Sequence, residues 1–153
     1  MFAQLGQLLG LAADPSTPAD PQARVRLATA ALMIEAARMD GRLDAAEQDA
    51  IHGLLRERFA LGDAEADALV DAAGAAAADS AGWQGFTRTL VDGLDPDERV
   101  GIVEMMWEVA YADGVLHDLE ASLMRRLGGL LYVGERDRGE ARKRVLRRLG
   151  LDH

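Results

Sequence analysis

One short phrase occurs twice in this chain, and it constrains the fold more than any other feature of the sequence. Residues 40–47 read Asp-Gly-Arg-Leu-Asp-Ala-Ala-Glu, and residues 113–120 read Asp-Gly-Val-Leu-His-Asp-Leu-Glu. Both copies follow the pattern Asp-Gly-x-Leu-x-x-x-Glu, and their first residues are 73 positions apart (113 − 40). The match extends back to Glu35 in the first copy and Glu108 in the second. We therefore interpret the chain as containing an internal repeat.

Helix start signals precede each copy. Asp20-Pro21 and Asp95-Pro96 each place a capping carboxylate before a proline, which is favoured at the first position of a helix. The segment 27–34 is almost wholly apolar or small, which is typical of a buried helix. The sequence thus predicts a long buried helix ahead of the first motif copy and a second such helix ahead of the other.

The motif itself reads as the turn of a helical hairpin. Gly41 and Gly114 suit the left-handed conformation that closes a helix. Asp44 and Glu47 then match a capping box for the next helix, and His117 takes the position of Asp44 in the second copy. Helix punctuation alone therefore explains several residues of the motif, and it stays open as the complete explanation.

These signals predict an all-α domain, a compact bundle of about seven to eight helices built from two pseudo-twofold-related helical hairpins. Residues 24–59 should superpose on residues 97–132, and no alternating Val, Ile or Thr pattern indicates a strand. We divide the chain into residues 1–20, a short N-terminal helix and linker, and residues 21–153, the helical domain. The predicted core comprises Leu32, Ile34, Leu43, Leu54, Phe59, Val103, Met106, Trp107, Leu116, Leu123 and Leu127.

Charge and composition narrow the range of functions. The 153 residues carry a formal net charge of −9, which argues against nucleic acid as a partner, because such binding needs Lys and Arg to displace phosphate counterions. The chain has no cysteine, which excludes thiolate metal sites and cysteine nucleophiles. No apolar run is long enough for a transmembrane segment, and residues 1–11 make a poor signal peptide, so we expect a cytoplasmic protein.

No catalytic pattern is evident. The three histidines are His52, His117 and His153, and they do not form a His-Glu-x-x-His frame. Phosphate-binding glycine loops and nucleophile elbows are also absent from the sequence. We therefore expect a protein that is not an enzyme, and keep a carboxylate-dependent hydrolase only as a remote alternative.

The acidic residues of the motif suggest a divalent-cation site. The motif partly matches an EF-hand loop, but Ala36 and Arg38 stand where the first copy would need two further oxygen ligands, so an ordinary EF-hand is disfavoured. A different site for Ca²⁺ or Mg²⁺ would form if the two hairpin turns meet. Its candidate ligands are Glu35, Asp40, Asp44, Glu47, Glu108, Asp113 and Glu120. Alternatively, Glu35 and Glu108 pair with Arg38 or with an arginine of another helix.

The C-terminal segment concentrates the positive charge. Arg142, Lys143, Arg144, Arg147 and Arg148 lie on one predicted helix. The simplest interpretation is a solvated helix face. The alternatives are docking of an acidic protein partner, or of the acidic body of a second copy to give a homo-oligomer.

The paired motif resembles the TerB-like tellurite-resistance domain. The resemblance rests on the phrases 37–47 and 110–120, each Ala-x-x-Asp-Gly-x-Leu-x-x-x-Glu, and covers residues 21–150. It implies an all-helical fold, an acidic surface proposed to bind a divalent metal, and a role in stress-response or membrane-associated protein complexes. It does not imply an enzyme. The main alternative is a purely structural or oligomeric adaptor in which the motifs are only helix caps.

Overall fold

Seven α-helices make up the part of the chain that can be described. The computed structural model describes residues 20–39, 45–79, 84–111 and 118–151, without the side chains of residues 39 and 118–121. The all-α prediction is confirmed, and no strand occurs in these ranges. The helices are α1 (Pro21–Met39), α2 (Ala45–Phe59), α3 (Asp63–Asp79), α4 (Gln84–Gly93), α5 (Pro96–Ala110), α6 (Asp118–Leu130) and α7 (Glu135–Arg148).

Local sequence signals determine where α1 and α5 begin. The Asp20 side chain accepts a hydrogen bond from the backbone N–H of Gln22 at 3.3 Å. At α5 the capping box is complete: Asp95 accepts from the Glu98 backbone at 2.8 Å, and Glu98 accepts from the Asp95 backbone at 3.0 Å. Both predicted helix starts are confirmed. At each start, a carboxylate accepts a hydrogen bond from a backbone N–H that has no partner inside the helix.

Helix α1 is the centre of the bundle. Residues 28–34 are all buried, as the apolar run predicts, and α1 makes its most extensive contacts with α3 and α4. Small side chains permit this close approach. A Cβ at Gly93, the last residue of α4, would lie only 2.8 Å from Cγ2 of Val25. Glycine at this position therefore lets the end of α4 touch α1.

Helix α3 also depends on small side chains. Ala66, Ala73 and Ala77 are buried, and α3 packs along α1. The sequence alone predicts that the alanine-rich end of α3 is a featureless surface, because alanine side chains are short. The structure corrects this in part: Ala73 and Ala77 are buried where α3 packs along α1, whereas Ala72, Ala75 and Ala78 are exposed.

Helix α5 is the second core helix. Ile102, Val103, Met106 and Trp107 are buried, and α5 packs most extensively against α7 and also contacts α2 and α6. Each motif hairpin is thus followed by a helix that packs on the hairpin's first member: α3 on α1, and α7 on α5. This parallel supports a repeated architecture, and the superposition of residues 24–59 on 97–132 stays a prediction.

Most of the predicted core is buried, with a few exceptions. Leu54 and Phe59 are only half-buried. The apolar spacing of the last helix also predicts an inward-facing Leu149, but α7 ends at Arg148 and Leu149 is 43% exposed. The predicted N-terminal helix, Leu43 and Leu116 lie outside the described residues. The core residues confirmed as buried are Leu32, Ile34, Val103, Met106, Trp107, Leu123 and Leu127.

Every helix in the described ranges falls short, in length or in apolar character, of what a bilayer span requires.

Candidate functional site

A small recess lies where α1, α2, α5 and α6 meet. Its walls come from both motif hairpins, and three pairs of equivalent positions, separated by 73 residues, line it together: 33 and 106, 36 and 109, 37 and 110. The lining residues are Met33, Ala36, Ala37, Glu47, Met106, Val109, Ala110, Leu123 and Met124. The residues just before the two motif copies therefore face a common space.

Glu47 is the acidic residue of this recess. It lies in the first turn of α2 and is only 4% exposed, although the other lining side chains are all apolar. Taking a carboxylate out of water is costly unless polar or ionic contacts compensate. Glu47 does take part in such an interaction within the fold. The glutamate that closes the first motif copy is therefore an interior group rather than a surface one.

The recess is large enough for very little. The volume of the recess that is accessible to water is about 20 Å³. One ordered water needs roughly 10–15 Å³ by this measure, so the recess accommodates one water molecule or one small ion beside Glu47. It offers no room for an organic substrate.

The remaining predicted ligands differ in what can be said of them. Glu35 is half-buried on α1, immediately before the recess residue Ala36. Asp40, Asp44 and Asp113 lie outside the described residues, as does the side chain of Glu120. Within the described ranges, no three His, Cys, Asp or Glu side chains gather closely enough to hold a metal ion.

Glu108 makes an ion pair with the C-terminal helix. Its carboxylate lies against the guanidinium of Arg148, and Arg148 Nη1 is 3.0 Å from Oε1 of Glu104, one turn earlier on α5. Arg144 Nε completes the cluster at 3.3 Å from the same Glu104 oxygen. This corresponds to the alternative in which Glu108 pairs with an arginine of another helix. A metal role for Glu108 would require it to share its carboxylate with Arg148.

Two opposing effects act on the pKa of Arg148. Partial burial acts to lower it, but hydrogen bonds to Glu104 and Glu108, together with their negative charges, outweigh burial and raise the pKa. A raised arginine pKa stabilises the fold at every pH below the value in the unfolded chain and loses this effect only as pH rises through the folded value. Arg148 therefore stays charged, and able to pair with Glu104 and Glu108, across the neutral pH range.

A third arginine of α7 interacts with aromatic rings. Arg142 Nε donates a 2.7 Å hydrogen bond to the hydroxyl of Tyr111, and its Cζ lies 5.6 Å from the centroid of the Trp107 ring. Trp107 and Tyr111 stack with centroids 5.6 Å apart and an interplanar angle of 16°. The interpretation of a solvated basic face was wrong for Arg142 and Arg144, which are half-buried against α5, whereas Arg148 pairs with α5 and is still exposed.

Sequence reasoning missed this α5–α7 interface, although one signal was present. Glu104 and Glu108 are four residues apart, and so are Arg144 and Arg148. Side chains with this spacing share a helix face, so two helices carrying matched pairs of opposite charge are suited to pack against each other.

Comparison with known proteins identifies the family. The family model described as tellurite resistance protein TerB matches residues 26–143. The chain belongs to the TerB family. The TerB match begins in α1 and ends in α7, so it includes both motif hairpins and the recess between them. No curated protein and no solved structure matches the chain significantly.

Proposed function

We propose that this TerB domain is a non-catalytic interaction module whose motif edge binds a divalent cation, Ca²⁺ or Mg²⁺. The observation that supports this most is the buried carboxylate of Glu47 in a recess shared by both hairpins. The predicted donors are all carboxylate oxygens, which are the ligands that these hard cations prefer. Glu47 would be an inner ligand, and Glu35 with the motif carboxylates outside the described residues would supply the others.

We propose that this acidic edge binds a protein partner in a stress response. Such a partner could belong to a membrane-associated complex. A bound cation would present positive charge at an otherwise acidic edge, and without it the same edge suits a basic protein surface. Tellurite is an oxyanion, which a chain with a net charge of −9 should repel. Any contribution to tellurite resistance would therefore be indirect.

Isothermal titration calorimetry with CaCl₂ and MgCl₂ tests the cation site directly. We expect saturable binding of at least one ion by the wild-type chain and its loss in the double variant Glu47→Gln, Glu120→Gln. Glu57→Gln is the matched control, because Glu57 is an exposed carboxylate near the far end of the same helix as Glu47. Equal binding by the wild type and the double variant would refute the proposed site.

A structural adaptor is the second candidate. The observation that favours it is the Glu104–Glu108–Arg144–Arg148 cluster, which neutralises two carboxylates near the second motif copy without an ion. On this alternative the motifs only cap helices and close the hairpins. It predicts no heat of cation binding and no change in melting temperature on adding either salt.

A further inference from the structure

A second concave site lies at the opposite end of the α1–α2 hairpin from the motif turn. It is a cleft of about 570 Å³ between the start of α1, the end of α2, and the turn that joins α4 to α5. On α1 the cleft residue Val25 precedes the recess residue Met33 by eight positions, an axial rise of about 12 Å. Clefts that hold small organic ligands usually measure about 300–1,000 Å³, so this one has a suitable size.

The inner wall of the cleft is apolar. Ile102 is only 1% exposed, and Val25, Phe59 and Leu94 are partly buried against the core while still lining the cleft. These side chains come from four different segments of the chain. An apolar ligand body placed here would remove further hydrocarbon surface from water, which is favourable.

Two arginines stand at the same cleft. Arg26 on α1 and Arg58 on α2 both line it, and neither forms an ion pair with any residue in the described ranges. This distinguishes them from Arg144 and Arg148, whose charges are neutralised by α5. A chain with an excess of acidic residues therefore keeps two guanidinium groups available at one apolar cleft.

The carboxylates nearby are already engaged. Glu98 lines the cleft, but its Oε1 accepts the backbone N–H of Asp95 as part of the α5 capping box. Asp20 likewise accepts a hydrogen bond from the first turn of α1. Both carboxylates therefore offset the partial positive charge of a helix N-terminus rather than the arginines.

The Arg58 guanidinium lies against a glycine of α5. Its Nη1, Nη2 and Cζ atoms lie 3.3–3.5 Å from where a Cβ of Gly101 would be, so the guanidinium rests on the backbone of α5. A planar guanidinium is suited to bind a carboxylate or phosphate through two parallel hydrogen bonds.

We propose that this cleft binds a small amphipathic anion, with a carboxylate or phosphate head at Arg58 and Arg26 and a hydrocarbon body against Val25, Phe59, Leu94 and Ile102. The site is separate from the cation edge, and its occupancy does not depend on the proposed function of that edge.

Binding can be measured by NMR, by following the backbone amide chemical shifts of the full chain during titration. The ligands are decanoate and decyl phosphate, each below its micellar concentration. We expect saturable shifts around Ala60 and Leu94. Decanol and inorganic phosphate, which each lack one half of the proposed chemistry, should bind at least about tenfold more weakly. A difference in affinity between decanoate and decyl phosphate would identify which anionic head the cleft prefers.

Arg58→Gln should weaken decanoate binding about tenfold or more. Arg147 is an exposed arginine of α7 that does not line the cleft, so Arg147→Gln should leave decanoate binding unchanged. The melting temperature of each variant shows whether the fold is retained. Equal affinity for decanol, no shifts near the cleft, or equal losses in Arg58→Gln and Arg147→Gln would overturn the proposal.

Discussion

Arg148 and Glu108 form an ion pair between the last turn of α7 and the last turns of α5, across 40 residues of sequence (148 − 108). Glu104 shares the same guanidinium, so a single arginine serves two carboxylates that are one helical turn apart. The pair is half-exposed on the arginine side, which limits its contribution to stability, because water and salt screen such charges.

Removing this arginine should have a small effect that salt reduces. Arg148→Met should lower the free energy of unfolding by about 1 kcal/mol or less in low salt, and by less again in 1 M NaCl. Urea denaturation at both ionic strengths measures this. In a double-mutant cycle with Glu108→Gln, the double variant should lose less stability than the sum of the two single losses. Additive effects of the two substitutions would contradict the pairing.

The tyrosine hydroxyl beneath Arg142 should matter more, because it is buried. Tyr111 is 2% exposed, and Tyr111→Phe removes the acceptor of the 2.7 Å hydrogen bond from Arg142 Nε. We expect a loss of about 1–2 kcal/mol in the free energy of unfolding, since a charged donor loses its partner. The chain provides its own control: Tyr132→Phe changes a residue that is 74% exposed and should have almost no effect. Equal effects would contradict the assignment.

The contact between α1 and α4 predicts that Gly93 is sensitive to substitution. Gly93→Ala would put a methyl group 2.8 Å from Val25 Cγ2, and we expect a loss of about 1–3 kcal/mol from overpacking. Gly53, inside α2, has no atom within 4 Å of the added Cβ. Gly53→Ala should therefore stabilise the protein by up to about 1 kcal/mol, as expected for a helix interior. Thermal melts of both variants should move in opposite directions.

The motif glutamates should couple stability to divalent cations. Ions that bind only the folded form stabilise it by about 2.7 kcal/mol at a hundredfold excess over the dissociation constant, so millimolar Ca²⁺ or Mg²⁺ should raise the melting temperature. Glu47→Gln with Glu120→Gln should abolish this increment and slightly stabilise the metal-free protein, because repulsion between carboxylates is relieved. An unchanged response in the double variant would refute Glu47 and Glu120 as ligands, and no response in the wild type would favour the adaptor.

The parts of the fold that follow from sequence are those decided within a few residues. Asp95, Pro96 and Glu98 specify a helix start by contacts within one turn, and the run 27–34 specifies a buried helix by its composition alone. The family could also be inferred, because the two motif copies are local phrases.

The parts that could not be predicted depend on how distant helices cross. The matched spacing of charges on α5 and α7 does not say which helices meet, and only the packing of α7 on α5 brings Arg148 to Glu108. The burial of Glu47 likewise results from four helices meeting, whereas the capping-box pattern predicts only its backbone role. The cleft at Arg58 depends on a guanidinium resting on Gly101, a contact that residue types do not reveal.

The recess beside Glu47 also has a volumetric consequence. Unfolding eliminates internal space, so the partial molar volume of the protein decreases and hydrostatic pressure favours the unfolded chain in proportion. An empty recess contributes to this decrease, whereas a recess that holds a water molecule or an ion contributes less. The volume change of unfolding, compared with and without a divalent salt, is therefore a direct measure of what occupies the junction between the two hairpins.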